Sequence, residues 1–346
     1  MNAHHKLLNQ AEQLVQEGSY RSAIALLETA GKYDDPALAQ RLIELRIQAY
    51  PEMEWPQPHS NWPPVHDNRF GSVEGFPEIG AGDLDADALK AGIFGKGGLI
   101  VRGLMDSARI KTMRENIDRV LQARIDVSQG AESDAHTNPW YRRCPSVQGG
   151  PAQFRGGERY TNVGSVWSVD SPPVTFQLIE YYREIGLPAL LAGYFGEDSV
   201  LSVRKWVVRC AAPNNGASSG WHQDGYFLGD ASSIRTANLW IALTDCGGDA
   251  DAPGLEIIGG GERKIHETGT HGSPFNWTVG QGLVDEIAQT NPVQCPRFSA
   301  GDALFFDHFN LHRTGFGLSH TNNRYAIESW FFAGSTAPLK QQPVVF

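Results

Sequence analysis

The pattern of apolar and polar residues divides the chain into a helical first part and a strand-rich second part. Within residues 1–50, apolar side chains recur every three to four positions, which indicates amphipathic helices. Gly18 is expected to end the first of these helices, and Asp35 followed by Pro36 is a typical beginning for a helix over residues 36–49. The same spacing predicts two later helices, over residues 106–125 and 174–195.

From residue 200 onward the pattern changes to short runs of aliphatic and aromatic residues, separated by Gly, Asn and Pro. Several short strands with turns between them are typical of a sandwich or a barrel. Helices followed by strands do not give the alternation of a doubly wound fold, so the predicted class is α+β, mainly β with packed helices. The predicted strands cover residues 99–101, 201–210, 236–245, 255–258, 303–306 and 325–332.

Three units are predicted along the chain. Residues 1–50 form an N-terminal helical extension, part of which resembles half of one tetratricopeptide repeat. Because a lone repeat cannot bury its own face, these helices are expected to pack on the main domain or on a second subunit, and docking of a partner protein is the alternative. Residues 51–70 contain five prolines, which exclude a helix or a central strand and indicate a linker that lies against the protein. Residues 71–346 form the main domain.

Composition and charge narrow the class of function. Asp and Glu outnumber Lys and Arg by 39 to 29, and the resulting net charge of −10 does not favour binding to nucleic acid or to an anionic membrane. The four cysteines are too far apart in the sequence for a zinc or redox pair and are expected to be reduced thiols. With neither an apolar signal core nor a membrane-spanning stretch, the sequence predicts a cytoplasmic protein.

The segment 222–224, His-Gln-Asp, carries the strongest sign of chemistry. Because alternate residues of an extended chain project to the same side, His222 and Asp224 can both reach one metal ion. A third ligand is expected from a later strand, where His308 and His312 are both available. Two imidazoles and one carboxylate leave coordination positions open, as in the non-haem Fe(II) enzymes that activate O2, whereas a structural zinc site is closed.

An arginine follows this set at a position suited to bind an anion. Arg324 comes twelve residues after His312, at the start of another predicted strand. Its guanidinium could hold a carboxylate through two parallel hydrogen bonds, which Lys cannot match. With this ordered set of residues, the chain from about 85 to 335 resembles the phytanoyl-CoA dioxygenase family of Fe(II)/2-oxoglutarate-dependent oxygenases.

The resemblance implies a fold, a set of cofactors and a role for each residue. The fold is a double-stranded β-helix, a jelly roll of the cupin-like kind, with helices packed against one face. Fe(II) is bound by His222, Asp224 and His312, and the cosubstrates are 2-oxoglutarate and O2. Arg324 binds the far carboxylate of 2-oxoglutarate, assisted by the hydroxyl group of Thr314.

Further residues match positions near the cosubstrate in this family. Gln223 follows the first histidine, and Trp240 stands on the next strand, where an aromatic residue is common. Trp240 could equally be an ordinary core residue. Related halogenases replace the carboxylate with a small residue, and the presence of Asp224 therefore favours oxygenation over halogenation.

Substrate contacts are expected from two places. Trp221 and Tyr226 flank the His-Gln-Asp segment and are predicted to line the substrate pocket, with plain packing as the alternative. An arginine-rich irregular stretch precedes the strands, and it is either a solvated loop or a lid that meets an anionic group on the substrate. Its arginines are Arg142, Arg143, Arg155 and Arg159.

The leading hypothesis is an oxygenase that oxidises, and most simply hydroxylates, a small organic molecule with release of succinate and CO2. One alternative is a cupin-like metalloenzyme that uses its metal as a Lewis acid without 2-oxoglutarate, in which Arg324 would have no purpose. The other is a non-catalytic binding protein that docks a partner, or a second copy of itself, through its N-terminal helices. The complete ligand set argues against this second alternative.

Overall fold

Two β-sheets face each other in the second part of the chain, and helices cover the outer side of the larger sheet. The inner faces of both sheets share an apolar cluster that includes Trp240, Leu255 and Phe306. The outer face of the larger sheet packs with the helices in a second, more extensive cluster. This is the double-stranded β-helix that the family resemblance implied. The computed structural model describes residues 3–29, 35–58, 61–129, 139–142, 144, 164–213, 220–260, 262–317 and 319–346.

The helices within the described residues fall where the apolar spacing predicts them, with additions. The predicted helix over 174–195 is divided in two at Gly186, which has a φ of 69°, and Pro188 stands at the start of the second part. Because proline cannot continue a preceding helix, the chain begins a new one there. The helices are α1 (Ala3–Gln16), α2 (Tyr20–Glu28), α3 (Pro36–Glu52), α4 (Ala86–Lys96), α5 (Ser107–Ser128), α6 (Pro172–Glu184), α7 (Leu187–Phe195) and α8 (Gln281–Ala288).

The six predicted strands are present, one of them divided in two, and the structure adds further short strands. The run over 201–210 is split by a short 3-10 turn, Val203–Lys205, into two strands that pair with different parts of one long strand. The strands are β1 (Glu78–Gly80), β2 (Gly98–Arg102), β3 (Ser165–Trp167), β4 (Ser199–Ser202), β5 (Val207–Ala211), β6 (His222–Gln223), β7 (Thr236–Ala242), β8 (Gly254–Ile258), β9 (Ala303–Phe306), β10 (Leu311–Gly315), β11 (Arg324–Ala333) and β12 (Pro343–Val344).

The long strand β11 organises the larger sheet. It pairs antiparallel with β7 along one edge and with β5 and then β4 along the other. The sheet runs in the order β1-β2-β9-β7-β11-β4-β12, and β3 joins it through β5. The smaller sheet has the order β6-β10-β8, with antiparallel pairing throughout. Every residue of β7 is buried, as expected for a central strand covered on both faces.

The N-terminal helices form as predicted and pack on the main domain. The Asp35 side chain accepts hydrogen bonds from the backbone N–H groups of Ala37 and Leu38, and so caps the start of α3. The Tyr50 hydroxyl group, near the end of α3, lies 2.9 Å from the carbonyl oxygen of Gly334 and 2.8 Å from that of Ala337. Burial raises the pKa of Tyr50 to about 12, so this hydroxyl remains a donor.

A buried arginine provides a second link between α3 and the end of the chain. Arg46 is 1% exposed, donates to the carbonyl oxygen of Val345 at 2.6 Å and forms an ion pair with Glu28. Burial lowers the pKa of Arg46 to about 10, and the nearby Glu28 carboxylate partly offsets this shift. The helix α3 is therefore part of the same folded body as the larger sheet.

The proline-rich segment that follows α3 lies against the protein through its two tryptophans. Trp55 donates to the carbonyl oxygen of Tyr50 at 3.0 Å. Trp62 packs edge-on against Phe94 and Tyr194, at centroid distances of 5.2 and 5.7 Å. Within the described residues, no helix is both long and apolar enough to cross a membrane.

The contact between α3 and the C-terminal segment can be tested with a change that removes one hydroxyl group. We expect Tyr50→Phe to lower the free energy of unfolding by roughly 1–2 kcal/mol, because two carbonyl groups lose their shared donor. Urea denaturation followed by tryptophan fluorescence measures this change. Tyr20→Phe, at a half-buried ring in α2, is the matched control and should stay within about 0.5 kcal/mol of the parent. Equal effects of the two substitutions would contradict this account of the contact.

Candidate active site

The pairing of β6 with β10 brings two histidines together. His222 is the direct cross-strand partner of His312, and their ring centroids are 4.4 Å apart. Asp224 begins the short 3-10 turn after β6, and one of its carboxylate oxygens lies 4.0 Å from Nε2 of His312. One ligand atom from each of the three residues lies within 4.8 Å of the other two. A single metal ion can therefore be bound by all three side chains.

Both imidazoles are held in the orientation that a metal requires. Nδ1 of His222 lies 3.0 Å from the carbonyl oxygen of Gly220, and Nδ1 of His312 lies 3.0 Å from that of Asn310. A carbonyl oxygen can only accept, so each Nδ1 carries the proton and donates it. Each Nε2 then keeps its lone pair for the metal, as is usual for histidine ligands.

Three donors hold the Asp224 carboxylate in place. Its Oδ2 accepts from Nδ2 of Asn238 and from Nε1 of Trp330, both at 2.8 Å, and its Oδ1 lies 3.3 Å from Nζ of Lys205. Burial by itself would raise the pKa of Asp224, but the Lys205 ammonium group and the neighbouring imidazoles bring it below the usual value. The group is therefore a carboxylate at neutral pH, which is the form that binds a metal.

The protonation of the first histidine also suits metal binding. Burial, together with the nearby His312 ring, lowers the pKa of His222 to about 3. The ring is therefore neutral at neutral pH. Two imidazoles and one carboxylate are the donor set of the non-haem Fe(II) oxygenases, and the geometry of these residues fits such an ion.

The structure distinguishes the two candidates for the third ligand. His308 is buried, with Nδ1 at 2.7 Å from the Thr236 hydroxyl and Nε2 at 3.0 Å from the carbonyl oxygen of Ala231. Both of its ring nitrogens are thus engaged in hydrogen bonds. Strand β10 places His312, and not His308, beside His222 and Asp224.

The residues expected near 2-oxoglutarate line the same interior, apart from Gln223. Arg324 is fully buried at the start of β11, and its guanidinium lies 5.6 Å from the ring of Trp240 on β7. Thr314 lies two residues beyond His312 on β10, so the two side chains share one face of the smaller sheet. A buried cation, a hydroxyl group and an aromatic ring thus all face the interior between the two sheets.

Two of the predicted site residues lie on the opposite face of the smaller sheet. The Gln223 side chain donates to the carbonyl oxygens of Lys264 and Phe309, at 2.8 and 2.6 Å, and accepts from the backbone N–H of His266. Trp221 is 3% exposed and packs in an outer apolar cluster with Leu311. Because side chains alternate along an extended chain, neighbours of His222 point away from the metal ligands. The structure therefore separates these two residues from the site.

The remaining predicted substrate residues differ in position. Tyr226 is 41% exposed in the turn that begins with Asp224, close to the ligands. Arg142 lies with the helical layer, where its side chain donates to the carbonyl oxygen of Pro36 at 3.1 Å. Other arginines of that stretch lie outside the described residues; these are Arg143, Arg155 and Arg159.

Four residues near the ligands were not predicted from the sequence. Lys205, Asn238 and Trp330 contact Asp224 from three separate elements. The Trp277 ring is nearly perpendicular to the His222 ring, with the centroids 5.8 Å apart. The sequence contained one indication of these contacts, because Asn238 is an amide within a mostly apolar strand. The other three are contributed by segments whose positions only the fold determines.

The fold and the site together define a class of protein. A jelly roll that carries two imidazoles and a carboxylate, with a buried arginine facing the same interior, has the donor set of the non-haem Fe(II) oxygenases. Residues 189–321 match the family model described as phytanoyl-CoA dioxygenase (PhyH). The match contains all three metal ligands and confirms the resemblance stated from the sequence. The chain is an iron- and 2-oxoglutarate-dependent enzyme, and its cofactors are Fe(II), 2-oxoglutarate and O2.

Solved structures with a related fold are distant in sequence. EctD from S. alaskensis, with 2-oxoglutarate and 5-hydroxyectoine, is 12% identical, with 72% of this chain and 76% of that chain covered and a TM-score of 0.49. The carbocyclase SnoK from nogalamycin biosynthesis is 14% identical, with coverages of 75% and 87% and a TM-score of 0.46. The epimerase SnoN is 15% identical, with coverages of 68% and 78% and a TM-score of 0.40. These similarities are too low to indicate a reaction. No curated protein matches the sequence.

The assignment of the third ligand can be tested by metal binding alone. We expect the parent protein to bind one Fe(II) or Co(II) ion anaerobically, and His312→Ala to lose at least tenfold in affinity because one of three ligands is removed. His308→Gln is the matched control, since an amide can replace both of its hydrogen bonds, and it should bind the metal as the parent does. Calorimetric titration measures both variants. Retained affinity in His312→Ala, with loss in His308→Gln, would reverse the assignment.

Proposed function

We propose that the chain hydroxylates a small organic molecule at a carbon atom. The observation that carries this proposal is the fully buried Arg324 on the inner face of the larger sheet, together with a three-residue metal site that has open coordination positions. When bound, Fe(II) with 2-oxoglutarate and O2 supplies the oxidising chemistry, with release of succinate and CO2. The protein supplies binding, orientation and exclusion of water.

In this proposal each group of residues has a separate task. Arg324 binds the far carboxylate of 2-oxoglutarate through its planar fork, and the Thr314 hydroxyl group adds a hydrogen bond. The Trp240 ring covers one side of the cosubstrate. The apolar cluster between the sheets excludes water from this part of the interior, which strengthens each of these polar contacts.

Orientation of the metal is the task of the residues behind the ligands. The carbonyl groups of Gly220 and Asn310 fix the two imidazole rings, while Asn238 and Trp330 fix the carboxylate. Because these partners belong to the backbone or to central strands, the ligand set is preorganised for a metal.

For the N-terminal helices we infer a structural role. The contacts of Arg46 and Tyr50 with the C-terminal segment support this inference, because they join α3 to the folded body of the oxygenase core. The complete set of metal ligands makes the non-catalytic scaffold the weaker hypothesis.

The role of Arg324 can be tested spectroscopically. Addition of 2-oxoglutarate to the anaerobic Fe(II) protein should produce the weak visible charge-transfer band of the chelated keto acid. We expect Arg324→Met to weaken 2-oxoglutarate binding by roughly 10- to 100-fold, because a charge-assisted pair of hydrogen bonds is lost. Arg324→Lys should recover only part of this affinity.

A matched control is available on the outer face of the smaller sheet. Arg313 on β10 forms an ion pair with Glu256 on β8, with Nε of Arg313 at 2.6 Å from the carboxylate. Arg313→Met should leave the charge-transfer band and its dependence on 2-oxoglutarate unchanged. Release of succinate from 2-oxoglutarate gives an independent readout. A protein that binds Fe(II) but forms neither the band nor succinate would support the Lewis-acid alternative instead.

A further inference from the structure

One of the three donors to the Asp224 carboxylate carries a charge. Asn238 on β7 and Trp330 on β11 are neutral, and each donates to Oδ2 at 2.8 Å. The ammonium group of Lys205 lies 3.3 Å from Oδ1, which makes its hydrogen bond the longest of the three. Because two shorter bonds from central strands already fix the orientation of the carboxylate, Lys205 adds little to that orientation. What distinguishes Lys205 from the other donors is its positive charge.

The position of this charge is itself fixed. Lys205 ends the short 3-10 turn that joins β4 to β5, and both of these strands pair with β11. Nζ of Lys205 lies over the Trp330 ring at 4.9 Å from its centroid and over the Phe227 ring at 5.1 Å. The negative face of an aromatic ring attracts a cation, so both rings favour this position. These contacts hold the ammonium group beside Asp224, also when a metal ion binds the same carboxylate.

A positive charge at this position acts on the two cofactors with opposite sign. The ammonium group and Fe(II) are attracted by the same carboxylate and repel each other. 2-Oxoglutarate is a dianion, and the ammonium group attracts it. The side chains of Lys205 and Asp224 are 25% and 5% exposed, so water and salt screen this charge only in part.

We propose that Lys205 is a positioning residue that acts by its charge: it weakens the binding of iron alone and strengthens the binding of 2-oxoglutarate to the iron-loaded protein. The complex with both cofactors is thereby favoured over the complex with iron alone. This inference rests on the proposed function, in which 2-oxoglutarate binds beside the metal. It concerns the difference between two proteins that differ by one charge at one place, so the pairing of the other charged groups does not enter it.

Separate titrations of the two cofactors test the proposal. Fe(II) is titrated calorimetrically, without O2, into the full chain. 2-Oxoglutarate is then titrated into the iron-loaded protein, with the charge-transfer band as the readout. We expect Lys205→Met to bind iron roughly tenfold more tightly and 2-oxoglutarate roughly tenfold more weakly than the parent, because one repulsion and one attraction are lost together. Loss of a residue that only supports the fold would weaken the binding of both.

Two further substitutions separate the charge of Lys205 from its hydrogen bond. Lys205→Gln keeps a donor group but removes the charge, and it should change both affinities in the same directions as Lys205→Met. Lys205→Arg keeps the charge, and both of its affinities should lie closer to those of the parent than to those of Lys205→Met. The effect is thus expected to follow the charge and not the donor.

Two control variants complete the set. Asn238→Ala removes a neutral donor from the same carboxylate and should weaken the binding of iron, because a metal ligand loses support without any change of charge. Lys90→Met is the matched lysine substitution on α4, where Lys90 pairs with Asp87 at 3.2 Å. It should leave both affinities unchanged.

Either of two results would overturn the inference. One is weaker binding of iron by Lys205→Met, as in Asn238→Ala, which would make Lys205 an ordinary support of the carboxylate. The other is unchanged affinity of Lys205→Met for 2-oxoglutarate. A parent protein that binds Fe(II) but shows no band with 2-oxoglutarate would instead count against the proposed function itself.

Discussion

The antiparallel pairing of two very short segments underlies the whole site. Strand β6 has only two residues, yet its register against β10 places His222 opposite His312. In such a pair the side chains of directly opposed residues are close neighbours, so the register alone sets the separation of the two imidazoles. A shift by one residue would turn Gln223 inward and His222 outward, and the metal site would not form.

Asp224 connects this small sheet to the large one. Its hydrogen-bond partners Asn238 and Trp330 come from β7 and β11, the two central strands of the larger sheet. The Asp224 carboxylate is thus both a candidate metal ligand and a contact between the two sheets. Because Lys205 and the neighbouring imidazoles lower the pKa of this buried carboxyl group, it remains ionised and accepts from the donors that surround it.

Residues with different contacts follow one another on the inner face of β11. Arg324 stands at its start, Glu328 in the middle and Trp330 beyond, all on one face because alternate residues share a side. The residue proposed to bind the cosubstrate, a carboxylate paired with Arg209 and a donor to Asp224 therefore follow one another along the strand. The helical layer, anchored through α3, covers the other face of the sheet and keeps this strand central.

The sequence by itself determined the class of the fold, most of the helices and strands, and the pair His222 and Asp224, because these follow from local periodicity and spacing. It offered both His308 and His312 by residue type, of which the family resemblance named His312, and it placed Gln223 and Trp221 near the site. Only the tertiary structure decided these points, since the direction of a side chain depends on strand register and not on nearness in sequence. The contacts of Lys205, Trp277 and Trp330 likewise needed the fold, because they join segments far apart along the chain.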